Sequence, residues 1–158
     1  MPDEKVELLR LDSRELKAVT DSVFHKGNAI TFKAGGSSMW PFIRDMDTVT
    51  LVPVAQVKFG LGDIVGFLHP ASGNFLVHRV VKLRNESVQI KGDNRLFSDG
   101  WIKKDKITGV LYGISRHDRS AYSWLRLKKI IAVLSRHNLL IPIIKPAVAV
   151  VRRSRLLK

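Results

Sequence analysis

Cysteine is absent from the 158 residues, which removes a disulfide framework, a thiolate metal site and a cysteine nucleophile at once. The five histidines (His25, His69, His78, His117, His137) form no HxH or HExxH pattern and no histidine–carboxylate pair at ligand spacing. No metal or other cofactor is therefore expected. A spanning helix needs about 20 mostly apolar residues. The best apolar run, Leu139–Val151, is shorter, is broken by Pro142 and Pro146, and carries Lys145. Met1–Arg10 is charged and has no apolar core of the kind a secretory signal needs. With neither a signal peptide nor a transmembrane segment expected, the sequence reads as cytoplasmic, and at most peripheral at a membrane surface. Internal repeats and low-complexity stretches are also missing.

What is plentiful is positive charge. There are 27 Lys and Arg against 14 Asp and Glu, a formal net charge of +13. By itself such an excess points to nucleic acid or an anionic membrane. Its distribution narrows that reading. Residues 116–158 hold eleven basic residues and one acid, Asp118, a net +10 that leaves only +3 for everything before them. The basicity belongs to a tail, and the body is nearly balanced. Trp40, Trp101 and Trp124 are not interleaved with a basic stripe as stacking platforms would be, which disfavours nucleic acid as a partner.

The hydrophobic pattern divides the chain in three. Asp12 to Glu15 has capping-box spacing, and Leu16, Val19, Val23 and Phe24 follow at helical intervals before Gly27, so a helix is expected over residues 13–25 within an N-terminal segment 1–28. Residues 29–116 are short β-type runs broken by Gly, Asp, Asn and Pro. The expected strands are Ala29–Lys33, Thr48–Val52, Asp63–Leu68, Phe75–Leu83, Ser87–Lys91 and Ile107–Ser115. Strands this closely spaced, without helices between them, predict an antiparallel sheet or a closed barrel-like body. In the basic tail, residues 117–158, Trp124, Leu127, Ile131 and Leu134 share one helical face, with Arg126, Lys129 and Arg136 elsewhere. That pattern fits a helix packed on the body, and it also offers a peripheral membrane contact.

Three segments could carry chemistry. Gly35-Gly36-Ser37-Ser38-Met39-Trp40-Pro41 follows a predicted strand. Its serines could present a hydroxyl beside a backbone N–H, which is what acyl transfer requires. Alone it is an ordinary Gly/Ser turn, and a serine hydroxyl needs a nearby base. Among the histidines only His78 lies inside a predicted strand, in Val77-His78-Arg79-Val80-Val81, where a neutral imidazole could serve. The third segment, Lys91-Gly92-Asp93-Asn94-Arg95-Leu96-Phe97-Ser98-Asp99-Gly100, places two carboxylates six residues apart in one loop. Either could orient an imidazole as in a Ser-His-Asp arrangement. Trp101 and Phe97 are expected in the core or lining a cleft, and Phe67, Phe75 and Leu76 in the core. Leu51, Val52 and Pro53 are expected beside a peptide groove, since peptides dock by adding a strand to a sheet edge.

Gly-Ser-Ser-Met-x-Pro, Leu61-Gly62-Asp63-Ile64-Val65-Gly66-Phe67, Val77-His78-Arg79-Val80-Val81 and Lys91-Gly92-Asp93-Asn94 stand in an order that resembles the S24/S26 peptidase superfamily, most closely its signal peptidase I branch. The resemblance covers residues 29–115. It implies an all-β catalytic fold with Ser38 as nucleophile and His78 as general base, the Ser-His version of the family. The acid at Asp99 would complete a triad and Asp93 would support the site. Ser37, Ser38 and Met39 would meet the oxyanion and the substrate, with the Ser38 N–H as a donor. The implied function is a serine endopeptidase that cleaves a peptide or precursor protein through an acyl-enzyme, with no cofactor. The alternative is a module that kept this fold without activity and uses its cationic tail on a membrane or nucleic acid. Deleting residues 117–158 separates the two: a binding module should lose salt-sensitive association, whereas an enzyme body that still folds should retain its chemistry.

Overall fold

The structure, a computed structural model, describes residues 13–116, 119–120 and 127–142. The first element is α1, Ser13–His25, the helix expected from the capping box and the apolar spacing. Leu16, Val23 and Phe24 pack its inner face on the sheet. The buried Thr20 hydroxyl donates back to the Leu16 carbonyl at 2.6 Å. The helix closes where the N–H groups of Gly27 and Asn28 bond the carbonyls of Phe24 and Val23.

The strands follow as β1 (Ile30–Lys33), β2 (Thr48–Pro53), β3 (Ile64–Leu68), β4 (Phe75–Leu83), β5 (Ser87–Lys91), β6 (Gly100–Lys103), β7 (Ile107–Arg116) and the two-residue β8 (Arg119–Ser120). All pairings are antiparallel. The sheet order is β1-β2-β7-β3-β4-β5-β6, with β8 beside β7. Two features differ from the sequence expectation. The sheet is open, because β1 and β6 end the order without pairing to each other. And β6 was not expected: it is four residues long and pairs with β5 from Ser87↔Lys103 to Ile90↔Gly100.

The strand order follows from burial. β3 is buried at four of its five residues and sits between β7 and β4, as an uninterrupted apolar run should. β2 alternates half-buried and buried residues, the period-two pattern of a strand with one face in the core. Two apolar clusters result. One gathers Ile30, Met39, Ile43, Val49, Leu51, Ile64, Phe75 and Ile114 under α1. The other gathers Val65, Phe67, Val80, Val88, Ile90, Ile102, Ile107 and Val110.

The tail contributes α2, Lys128–Arg136. Ile131 is buried and Leu134 half-buried, as the helical face requires, but Leu127 is exposed; Trp124 and residues 143–151 of the apolar run lie outside the described residues. α2 sits against the turn before β3. A Cβ on Gly62, whose φ is +91°, would fall 2.4 Å from the Lys128 carbonyl oxygen, so this contact needs glycine for both its space and its backbone angle. Among the described residues no helix is long and apolar enough to cross a membrane.

Candidate active site

β4 is where the site begins. Successive residues of a strand face opposite sides, so His78 and Arg79 point into different surroundings, and both are buried. His78 stands opposite Val65 of β3, its ring 6.4 Å from that of Phe67. Its Nδ1 lies 2.7 Å from Asp99 Oδ2 and its Nε2 lies 2.8 Å from Ser38 Oγ. An ionised carboxylate can only accept, so Nδ1 carries the proton and Nε2 is left to accept from the serine hydroxyl. Ser38, His78 and Asp99 thus form one continuous relay drawn from a loop, a strand and a second loop.

Arg79 takes the other acid. Its Nε and Nη2 donate to the Asp93 carboxylate at 2.7–3.1 Å and its Nη1 donates to the Gly62 carbonyl at 2.9 Å. Both side chains of this ion pair are fully buried, and the guanidinium also lies 5.1 Å from the Phe42 ring centroid. The two carboxylates of the loop, equivalent in sequence, therefore have separate partners. Asp99 orients His78, and Asp93 ties the loop to β4 and the Gly62 turn.

The loop is also fastened to the serine turn. The Asn94 N–H donates to the Ser38 carbonyl at 2.8 Å and its side-chain amide donates to the Ser37 carbonyl at 3.1 Å. Between them Gly92 passes so close that an added Cβ would lie 2.8 Å from the Ser38 carbonyl and 3.1 Å from His78 Nε2. The Asp99 N–H bonds the Ile90 carbonyl at 2.9 Å, closing the loop at its far end. Lys91 is buried at its start. Burial pushes its pKa below the ordinary lysine value, against the opposing pull of the Asp93 and Asp99 charges.

On the serine side, Met39 is buried in the first apolar cluster, and its carbonyl accepts the N–H groups of Phe42 and Ile43. That turn holds the half-buried Ser38 with its hydroxyl facing His78. Ser37 is exposed and its carbonyl is held by Trp40 and Asn94. Among the described residues nothing accepts the Ser38 N–H.

A groove of about 750 Å³ opens onto Ser38 and His78. Its walls are largely apolar, with Phe32, Ala34, Met39, Ile43, Phe75 and Val77 among them. It lies along β1, whose outer edge has no strand partner among the described residues. The expected border at Leu51, Val52 and Pro53 does not line it: β2 is paired on both sides and Leu51 is fully buried. Phe97 is not core or lining either. It is 83% exposed, at the outer turn of a loop whose two ends are held inward by Asn94 and Asp99. Sequence reasoning also missed Arg79, Asn94 and Lys91. For Arg79 a signal was available, since a charged residue inside an apolar strand run must find a buried partner.

Among the described residues no group of three histidine or carboxylate side chains is arranged to hold a metal ion. No protein-family model matches the chain and no curated protein matches it.

Proposed function

We propose that this chain is a serine endopeptidase that cleaves a peptide or precursor protein through an acyl-enzyme. The observation that carries the reading is the unbroken Ser38–His78–Asp99 relay, with hydrogen bonds of 2.8 and 2.7 Å. A buried histidine bonded on one side to a carboxylate has many structural uses. One bonded on its other nitrogen to a serine at the end of an apolar groove has the parts of a nucleophilic site.

In this mechanism Ser38 Oγ attacks the scissile carbonyl while His78 Nε2 takes its proton. Asp99 holds the imidazole in the required tautomer and stabilises the imidazolium as it forms. His78 then delivers the proton to the leaving amine and activates the water that hydrolyses the ester. The uncommitted Ser38 N–H donates to the developing oxyanion. The acyl part of the substrate extends along β1 and adds a strand to its free edge, with apolar side chains in the groove. The residue order and this site fit the S24/S26 superfamily, signal peptidase I-like in its Ser-His form, and the open sheet would be that family's catalytic fold.

The test is cleavage of a diverse peptide mixture read by mass spectrometry, with a fluorophosphonate probe reporting the nucleophile. Wild-type protein should release defined products and label at Ser38. Ser38→Ala and His78→Ala should each reduce turnover by about 10⁶-fold, as for other triads. Undiminished cleavage by Ser38→Ala would refute the mechanism.

A further inference from the structure

The inner face of α2 is accounted for. Ile131, Ala132 and Ser135 are buried against the body, and Lys128 Nζ bonds Asp63 Oδ1 at 2.6 Å. Its outer face is exposed among the described residues. Leu127, Ile130 and Val133 are 53%, 59% and 48% exposed, spaced three residues apart so that they form one stripe along the helix, and Leu139, just past its end, is 46% exposed. Lys129 and Arg136 are exposed beside this stripe. No acidic residue occurs anywhere from 119 to 158. Single exposed leucines are ordinary on a protein surface, but an apolar stripe with cations and no acid beside it is a feature that needs a partner.

We infer that α2 docks this protein on an anionic lipid bilayer, lying in the plane of the headgroups with Leu127, Ile130 and Val133 inserted and Lys129 and Arg136 on the lipid phosphates. Three arguments favour this occupant. At about 1.5 Å per residue, a nine-residue helix is far too short to span but long enough to lie in the interface. A nucleic acid would engage the cations and leave the apolar stripe in water, and residues 127–142 contain no Phe, Trp or Tyr on which bases could stack. A second copy would bury the apolar stripes against each other but bring four like charges together at one contact. An anionic bilayer satisfies both halves of the face. The inference does not depend on the peptidase reading, and its test does not use activity.

The experiment is co-sedimentation of the full chain with sucrose-loaded vesicles of pure phosphatidylcholine and of phosphatidylcholine mixed with phosphatidylglycerol. The protein should pellet with the mixed vesicles and not with the neutral ones, and lose binding as salt is raised. Ile130→Ser/Val133→Ser and Lys129→Glu/Arg136→Glu, both on exposed positions and checked for unchanged melting, should each weaken partitioning about tenfold or more. Equal pelleting with both vesicle types would overturn the inference. So would wild-type binding by either double variant, since the remaining basic residues of the tail would then suffice. A dimer seen by sedimentation velocity that Ile130→Ser/Val133→Ser dissolves would overturn it in favour of self-association.

Discussion

Asp93 and Asp99 are chemically the same residue in the same loop, and their surroundings give them opposite consequences on substitution. Asp99 Oδ2 lies 2.7 Å from Nδ1 of His78. Replacing it with Asn keeps the volume and much of the hydrogen bonding but favours the wrong tautomer of His78. Asp99→Asn should leave thermal stability near wild type and lower kcat by about 10⁴-fold. Asp93 sits against a guanidinium that is fully buried. Asp93→Asn leaves that charge uncompensated, so it should cost about 3–5 kcal/mol of stability, read by urea unfolding. If the two variants exchanged these phenotypes, the division of labour between the acids would be wrong. Six residues of separation say nothing about which carboxylate reaches which side of β4. That is why the sequence left both open: the answer depends on how the loop is fastened by Asn94 and by the Asp99 N–H.

At the level of elements, what was legible is what short-range pattern encodes. α1, β4 and β5 fall on the expected residues, and β1, β2, β3 and β7 differ from expectation by a residue at an end, because capping chemistry and β-branched runs bounded by turn residues are local signals. β6 was not legible. Gly-Trp-Ile-Lys is too short to show a period, and it is a strand because β5 offers it an edge. The sheet order was not legible either, since nothing in β7 announces that it inserts between β2 and β3. The groove shares this limit, because its walls come from α1, β1, the serine turn and β4 together. The attachment of α2 is another long-range fact, and it rests on Gly62. Gly62→Ala adds a Cβ 2.4 Å from the Lys128 carbonyl oxygen at a φ of +91°, so it should destabilise by at least about 1 kcal/mol. The loss should be local. Amides of α2 should exchange faster with solvent while those of β4 and β5 keep their protection.

For the whole molecule, the proposed chemistry depends on how two halves are held together. Ser38 is anchored through Met39 in the apolar cluster under α1, while His78 leans on Phe67 of the other cluster. The turn that carries Ser38 is closed further along by Asp47. This buried carboxylate accepts from Arg116 at 2.6 and 2.8 Å and from the Arg44 N–H at 2.8 Å. It thereby ties the segment after the serine turn to the end of the central strand β7. Burial alone would raise the Asp47 pKa, but the bonds from Arg116 and Arg44 and their charges outweigh it, so the pKa lies below the ordinary aspartate value of 3.8. A carboxyl whose folded pKa is depressed stabilises the fold fully above its unfolded pKa, and that contribution is lost as pH falls through the folded value. Asp47→Asn should therefore be less stable than wild type at neutral pH, by about 1.5–3 kcal/mol for bonds to a charged partner. The gap between the two stability curves should narrow as pH drops below 3.8. Melting temperatures of both proteins from neutral to strongly acidic pH provide the check. A gap that stayed constant across that range would mean that the lesion is steric and that the Asp47 charge does not hold the halves together. Because Ala34, Asp45 and Met46 line the groove and Ala34 bonds both Met46 and Asp47 through the backbone, protonating Asp47 should loosen the groove before the sheet itself unfolds.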